Sequence, residues 1–201
     1  MDVHEYIAKH DFQKLIQDLE QWMNFKHWGF ELVYSNPVPK SPVYYIVYQS
    51  NQCKVRFIWS QDRPYESPRI HIDYGRLHAP IDKYTMLWNN EERYCWHDIG
   101  KPLNFLDNIS PSEIEKNDFK VPPIMKSFFE NNKAKASSQP QKYIITMHAY
   151  IWEKYGQKLF NLLDLRYPNL WNEYCNFLEQ YYLNQAKKAP MPFKPPLYKV
   201  C

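Results

Sequence analysis

The sequence predicts an α+β fold: an N-terminal helix, an antiparallel sheet of four or more strands, a C-terminal helical hairpin and an extended Pro-rich tail. Three observations carry that expectation. Apolar residues recur every three or four positions near both ends of the chain, the spacing of one face of a helix. Between them lie short runs rich in β-branched and aromatic residues, each closed by Pro, Asn or Gly, which is how strands and their turns read. The chain also holds 16 Pro against 4 Gly, so its connections are stiff and cradles built from Gly-rich loops are nearly excluded.

Residues 5–24 place Phe12, Leu15, Ile16, Leu19, Trp22 and Met23 at helical spacing among Gln, Lys, Asp and Glu, which predicts one amphipathic helix, with Gly29 turning the chain out of it. Phe30–Tyr34, Val43–Gln49, Cys53–Trp59 and Arg69–Tyr74 then read as a four-stranded antiparallel meander, because its short connections suffice only for antiparallel neighbours. In the third run Val55, Phe57 and Trp59 alternate with Lys54, Arg56 and Ile58; in the fourth Ile70 and Ile72 alternate with Arg69, His71 and Asp73. Tyr84–Trp88 and Tyr94–Ile99 suggest a further hairpin around Asn89-Asn90, and Ser110-Pro111-Ser112-Glu113 a helix start. A short helix is expected over 122–131. The small, polar stretch from Asn132 to Pro140 reads as a linker. From Tyr143 the set Ile144, Ile151, Trp152, Tyr155, Leu159, Leu162 and Leu163 predicts a long helix with Gly156 as its weak point. Tyr167-Pro168 breaks it, and Leu170, Trp171, Tyr174, Cys175, Leu178, Tyr181 and Tyr182 begin another. The expected organisation is therefore an α+β domain over 1–131, a linker over 132–141, a helical hairpin over 142–188 and an extended tail over 189–201, where alternating Pro forbids a helix.

Hydrophobic residues make up 44% of the 201 positions and charged residues 23%, with a formal net charge of +3. That balance argues against bulk disorder and against a polybasic tail. No stretch is long and apolar enough for a membrane span, and the first residues do not read as a leader, so a cytoplasmic protein is expected. The four cysteines, Cys53, Cys95, Cys175 and Cys201, form no CxxC pair and are expected to be reduced thiols. There is no GxSxG, Walker loop or HExxH; His148 and Glu153 are five apart. His71, His78 and Cys53 match no zinc spacing, so neither a metal nor another cofactor is expected.

The densest polar and aromatic stretch is Arg93-Tyr94-Cys95-Trp96-His97-Asp98. On a strand, Cys95 and His97 would share one face, a spacing at which an imidazole can activate a thiol or simply lie beside a buried one. Cys95, His97 and Asp98 are therefore the catalytic candidates if the chain is an enzyme. Arg63-Pro64-Tyr65-Glu66-Ser67-Pro68 after the third strand, Leu77-His78-Ala79-Pro80, and the Cys95 segment follow one another in an order that resembles the ubiquitin-conjugating enzymes over about residues 5–130. The resemblance implies a leading helix, a meander and a nucleophilic Cys95. This chain departs from the family's His-Pro-Asn element, having His78-Ala79-Pro80 without the Asn that would stabilise an oxyanion.

The aromatic share is 17%, with 7 Trp, 17 Tyr and 11 Phe. Such side chains give large contact area at low entropy cost, so the leading expectation is a non-catalytic binding or scaffold subunit of a larger protein or nucleoprotein assembly. Its contact residues would be Arg56, Trp59, Arg63, Tyr65, Arg69, His71, Tyr74, Arg76 and His78, with Phe193 and Tyr198 anchoring the tail. A protein is the expected partner. Nucleic acid comes second, since basic residues alternate with aromatics but the net charge is small for binding through phosphate contacts. A membrane is not an expected partner.

Overall fold

A computed structural model describes residues 12–37, 43–60, 69–79, 81, 95–109, 122–138 and 140–186. Helix α1 (Phe12–Trp22) turns Ile16 and Leu19 inward, and Met23 follows just beyond its end. Asn24, in the left-handed region at φ 52°, separates it from the single turn α2 (Phe25–Trp28). Gly29 ends that turn at φ 69°, a conformation open to a residue without Cβ, and so lets the Phe30 N–H reach the Phe25 carbonyl at 3.0 Å.

The meander follows as β1 (Glu31–Pro37), β2 (Val43–Gln49), β3 (Cys53–Ser60) and β4 (Arg69–Arg76), and a short β5 (Trp96–Asp98) extends it. The five strands lie in chain order, each antiparallel to the next. The register aligns Tyr48, Val55, Tyr74 and His97 in one row on the inner face, and Val47, Arg56, Asp73 and Asp98 in one row on the outer face. The β2–β3 turn is tied by Ser50, whose Oγ accepts the N–H groups of Gln52 and Cys53, each at 3.2 Å. A bulge at Val33 shifts the β1–β2 register.

After β5 comes α3 (Gly100–Leu106), a helix the periodicity does not reveal because its Pro102 and Gly100 read as breakers. Both stand in the first turn, where the missing Pro N–H has no intrahelical partner to lose. The expected helix over 122–131 is present as the first part of α4 (Pro123–Ser138). It breaks at Asn132 (φ −126°), whose side chain donates to the Phe128 carbonyl at 3.0 Å. Residues 133–138, expected as linker, continue as helix: Lys and Ala have high helix propensity and need no apolar anchor to adopt it. α5 (Pro140–Leu163) begins with Pro at its first position, as does α6 (Pro168–Ala186). Between them Asp164 accepts the Arg166 N–H at 2.9 Å and pairs with its guanidinium, which, against the effect of burial, draws its carboxyl down to about 2.

The helices cover the inner face of the sheet, and helices and sheet share one core. Ile46, Tyr48, Phe57, Ile72 and Tyr74 meet Trp152, Leu159, Phe160, Tyr174 and Leu178 there. Trp152 stacks on Phe30 at 5.3 Å and stands edge-on to Phe160, while Phe25 stacks on Tyr48 at 4.1 Å. Gly156, the expected weak point of α5, packs directly against Trp28 of α2: a Cβ there would lie 2.6 Å from the Trp28 ring. No described helix is long and apolar enough to cross a membrane. The expected arm at Tyr84–Trp88, the helix start at Ser110 and the tail over 189–201 lie outside the described residues.

Candidate functional site

β5 pairs only with Asp73–Gly75, so Ile70–Ile72 of β4, paired to β3 on one side, have no strand on their other side among the described residues. At that gap α3, α4, α5 and α6 converge on a cleft of about 380 Å³. Its walls are apolar, formed by Ile70, Ile72, Ile99, Met125 and Ile144. Against them stand a few polar groups, chiefly Asp98, Lys101, Asn104 and His148, with His71 and Tyr181 also in the lining. A largely apolar cavity with a few convergent polar groups is the usual form of a small-molecule site.

His148 is placed by α5, which sets it one turn from Ile144 and Trp152 on the core side of the helix. Its Nδ1 lies 2.7 Å from the Tyr74 hydroxyl, and that hydroxyl accepts the Trp152 indole N–H at 2.8 Å. An indole N–H can only donate, and the fully buried Tyr74 proton has Nδ1 as its acceptor among the described residues. Desolvation depresses the imidazole pKa to about 3, outweighing the opposing pull of Asp98. His148 is thus a neutral imidazole with its proton on Nε2, an oriented donor at the cleft wall.

Asp98 closes the last strand and opens α3: one oxygen accepts the Gly100 N–H at 3.0 Å and the other takes the Lys101 ammonium. Desolvation would raise the Asp98 carboxyl, yet the Lys101 charge and these hydrogen bonds hold it below the usual range. Lys101 responds in the opposite direction, raised by Asp98 against its own desolvation. The two charges cancel at the mouth of the cleft. Asn104, one turn further along α3, is 6% exposed, and its Oδ1 has no hydrogen-bond partner among the described residues. Burial raises the Tyr181 hydroxyl at the rim, so it stays protonated.

The sequence-predicted residues divide between the two faces of the sheet. Cys95 precedes β5 and packs with Val47, Ala79 and Trp96 on the outer side, whereas His97 points inward against the rings of Trp171 and Tyr174. Cys95 is disulfide-bonded, with a partner outside the described residues, so the expectation of reduced thiols holds for the buried Cys53 and Cys175 and not for Cys95. Asp98 pairs with Lys101. The structure therefore does not assemble Cys95, His97 and Asp98 into a nucleophile and its base. Arg56 is on the outer face, bonded to Asp73 at 2.7 Å and lying over the Trp96 ring at 4.4 Å. Tyr74 and Arg76 are buried, the latter over Trp171, and His78 is an exposed turn residue. Arg63, Tyr65, Phe193 and Tyr198, and the side chains of Trp59 and Arg69, lie outside the described residues. Among the described residues no three His, Cys, Asp or Glu side chains cluster as metal ligands would.

Of the cleft residues, sequence reasoning named His71 and Asp98 and missed Lys101, Asn104 and the role of His148. The one available signal was His148 itself, a single polar position inside the apolar stripe of α5. No protein-family model, curated protein or solved structure matches the chain.

Proposed function

We propose that this chain is a non-catalytic binding protein that holds a small molecule in the cleft between β4 and helices α3, α4 and α5. The observation that carries this reading is the pairing of an apolar cavity with the fixed Nε2–H of His148, locked in one tautomer by Tyr74 and Trp152. Such a donor orients a ligand. A general base, by contrast, works best with a pKa near the ambient pH, and this imidazole titrates at about 3. Asp98 and Lys101 neutralise each other, and the sulfur of Cys95 is spent in a disulfide. These features favour holding a molecule over transforming one.

The test is a titration with the uncharged fluorophore N-phenyl-1-naphthylamine, whose emission rises in apolar surroundings. The wild-type chain is expected to bind it saturably. Ile144→Trp, which fills the cleft, is expected to abolish binding while leaving the circular dichroism unchanged. Equal binding by both proteins refutes the assignment.

A protein partner is the second part of the reading. The aromatic residues that suggested it are, among the described residues, largely internal, and its support comes instead from Leu32 and Val33, 39% and 42% exposed on β1, at the edge of the described sheet. Co-purification from nuclease-treated host lysate should then be lost on Leu32→Asp with Val33→Asp. Retention of the same partner by that variant counts against a contact through β1.

A further inference from the structure

We infer that the ligand of this cleft is uncharged, with an apolar body and an amide-like head that offers a carbonyl to His148 and an N–H to Asn104. The inference rests on the cleft being a binding site and adds which chemistry it selects. Two polar groups of the lining are complementary in kind: the His148 Nε2–H donates, and the Asn104 Oδ1, which has no hydrogen-bond partner among the described residues, accepts. The Asn104 oxygen is the more telling of the two. A buried carbonyl left without a donor is an energetic penalty that native proteins rarely carry, and this one belongs to a residue of the cleft lining.

Charge narrows the class further. Lys101 and Asp98 are paired across one turn, so neither is free to serve as a counterion. A ligand carboxylate or ammonium would have to break that pair or enter a wall of Ile70, Ile72, Ile99 and Met125 uncompensated. A carboxylate also brings no donor for Asn104, and an ammonium brings no acceptor for His148. An amide or lactam brings both, without charge.

The experiment uses the full chain and displaces N-phenyl-1-naphthylamine with decanamide, decanoate or decylamine, three molecules of equal chain length and different heads. Decanamide is expected to displace the dye at about one tenth of the concentration that either charged analogue needs, the factor that one well-made hydrogen bond supplies. Asn104→Leu, which removes the unpaired oxygen, is expected to erase that advantage, each displacement being read against the variant's own affinity for the dye. Decanoate or decylamine displacing the dye as well as decanamide overturns the ligand class and leaves the cleft standing as a site. A dye that never binds the wild type fails at the earlier step, and the inference falls with the proposed function. An advantage of decanamide that survives unchanged in Asn104→Leu also overturns it, because Asn104 then takes no part in selecting the head.

Discussion

The imidazole of His148 refuses a proton that the unfolded chain accepts. Its folded pKa of about 3 lies below the ordinary value of about 6.5. The unfolded state therefore binds more protons across that interval, and stability falls as the pH drops from about 6.5 towards about 3. Denaturant unfolding should show a loss of about 2–3 kcal/mol attributable to this group between pH 6.5 and 4.5. His148→Phe should flatten the profile by that amount, and identical slopes for the two proteins would contradict a buried neutral imidazole. Gly156 makes a second prediction at this scale. Alanine has the higher helix propensity by about 1 kcal/mol, but its Cβ would sit 2.6 Å from the Trp28 ring. Gly156→Ala should therefore destabilise by about 1–3 kcal/mol, and become neutral or favourable once Trp28→Leu makes room. The disulfide at Cys95 makes a third. Iodoacetamide should leave native Cys95 unmodified until a reductant is added, while Cys53, buried and pushed up to about 12, stays inert throughout. Rapid labelling of Cys95 without reductant below pH 8 would restore it as a nucleophile.

Elements were legible wherever a period repeated long enough to register. The four strands of the meander are present, and β2 runs over the expected residues, because β-branched and aromatic alternation coincides there with burial on one face. α3 was not legible: with seven residues it completes barely two turns, too few for a period to show, and Pro and Gly occupy its start. The helical run after Asn132 was hidden for a different reason. It carries no large apolar residue that could have marked it, and its Lys-Ala content speaks only through propensity. That distinction predicts where the chain is weakest. Phe128 and Phe129 lie against Tyr143 and Tyr150 and hold α4 up to the break, whereas the sequence past Asn132 offers no large apolar side chain as an anchor. Short helices without packing fray readily, so limited trypsin digestion should cut first at Lys133 or Lys135. First cuts within 143–186 would argue against it.

The whole molecule depends on Trp152, which joins the helices to the sheet through rings from α2, Phe30 and α5, and through one hydrogen bond to β4. Trp152→Phe should cost about 2–4 kcal/mol in unfolding free energy, from the volume lost and the donor withdrawn from Tyr74. A cost below about 1 kcal/mol would mean that the core repacks without it. This dependence also explains why so little of the site could be read beforehand. The cleft forms where β4 outlasts β5, and its polar lining comes from β4, β5, α3, α5 and α6. Asn104 and His148 are 44 positions apart in the chain, and no local pattern in either segment refers to the other. The aromatic surplus was visible at once and suggested an outer surface, whereas most of the described rings face the core; composition counts rings without saying which face they occupy.

The Trp152–Tyr74–His148 chain gives the cleft a gauge deep inside the protein. A molecule that accepts the Nε2 proton draws electron density along the imidazole, strengthens the Tyr74 bond to Nδ1 and so alters the oxygen that holds the indole proton. The indole resonance of a fully buried Trp152 should therefore move in a nitrogen–proton correlation spectrum when the cleft fills, although nothing bound there touches the ring. Occupancy can then be followed without a dye, a label or a substitution.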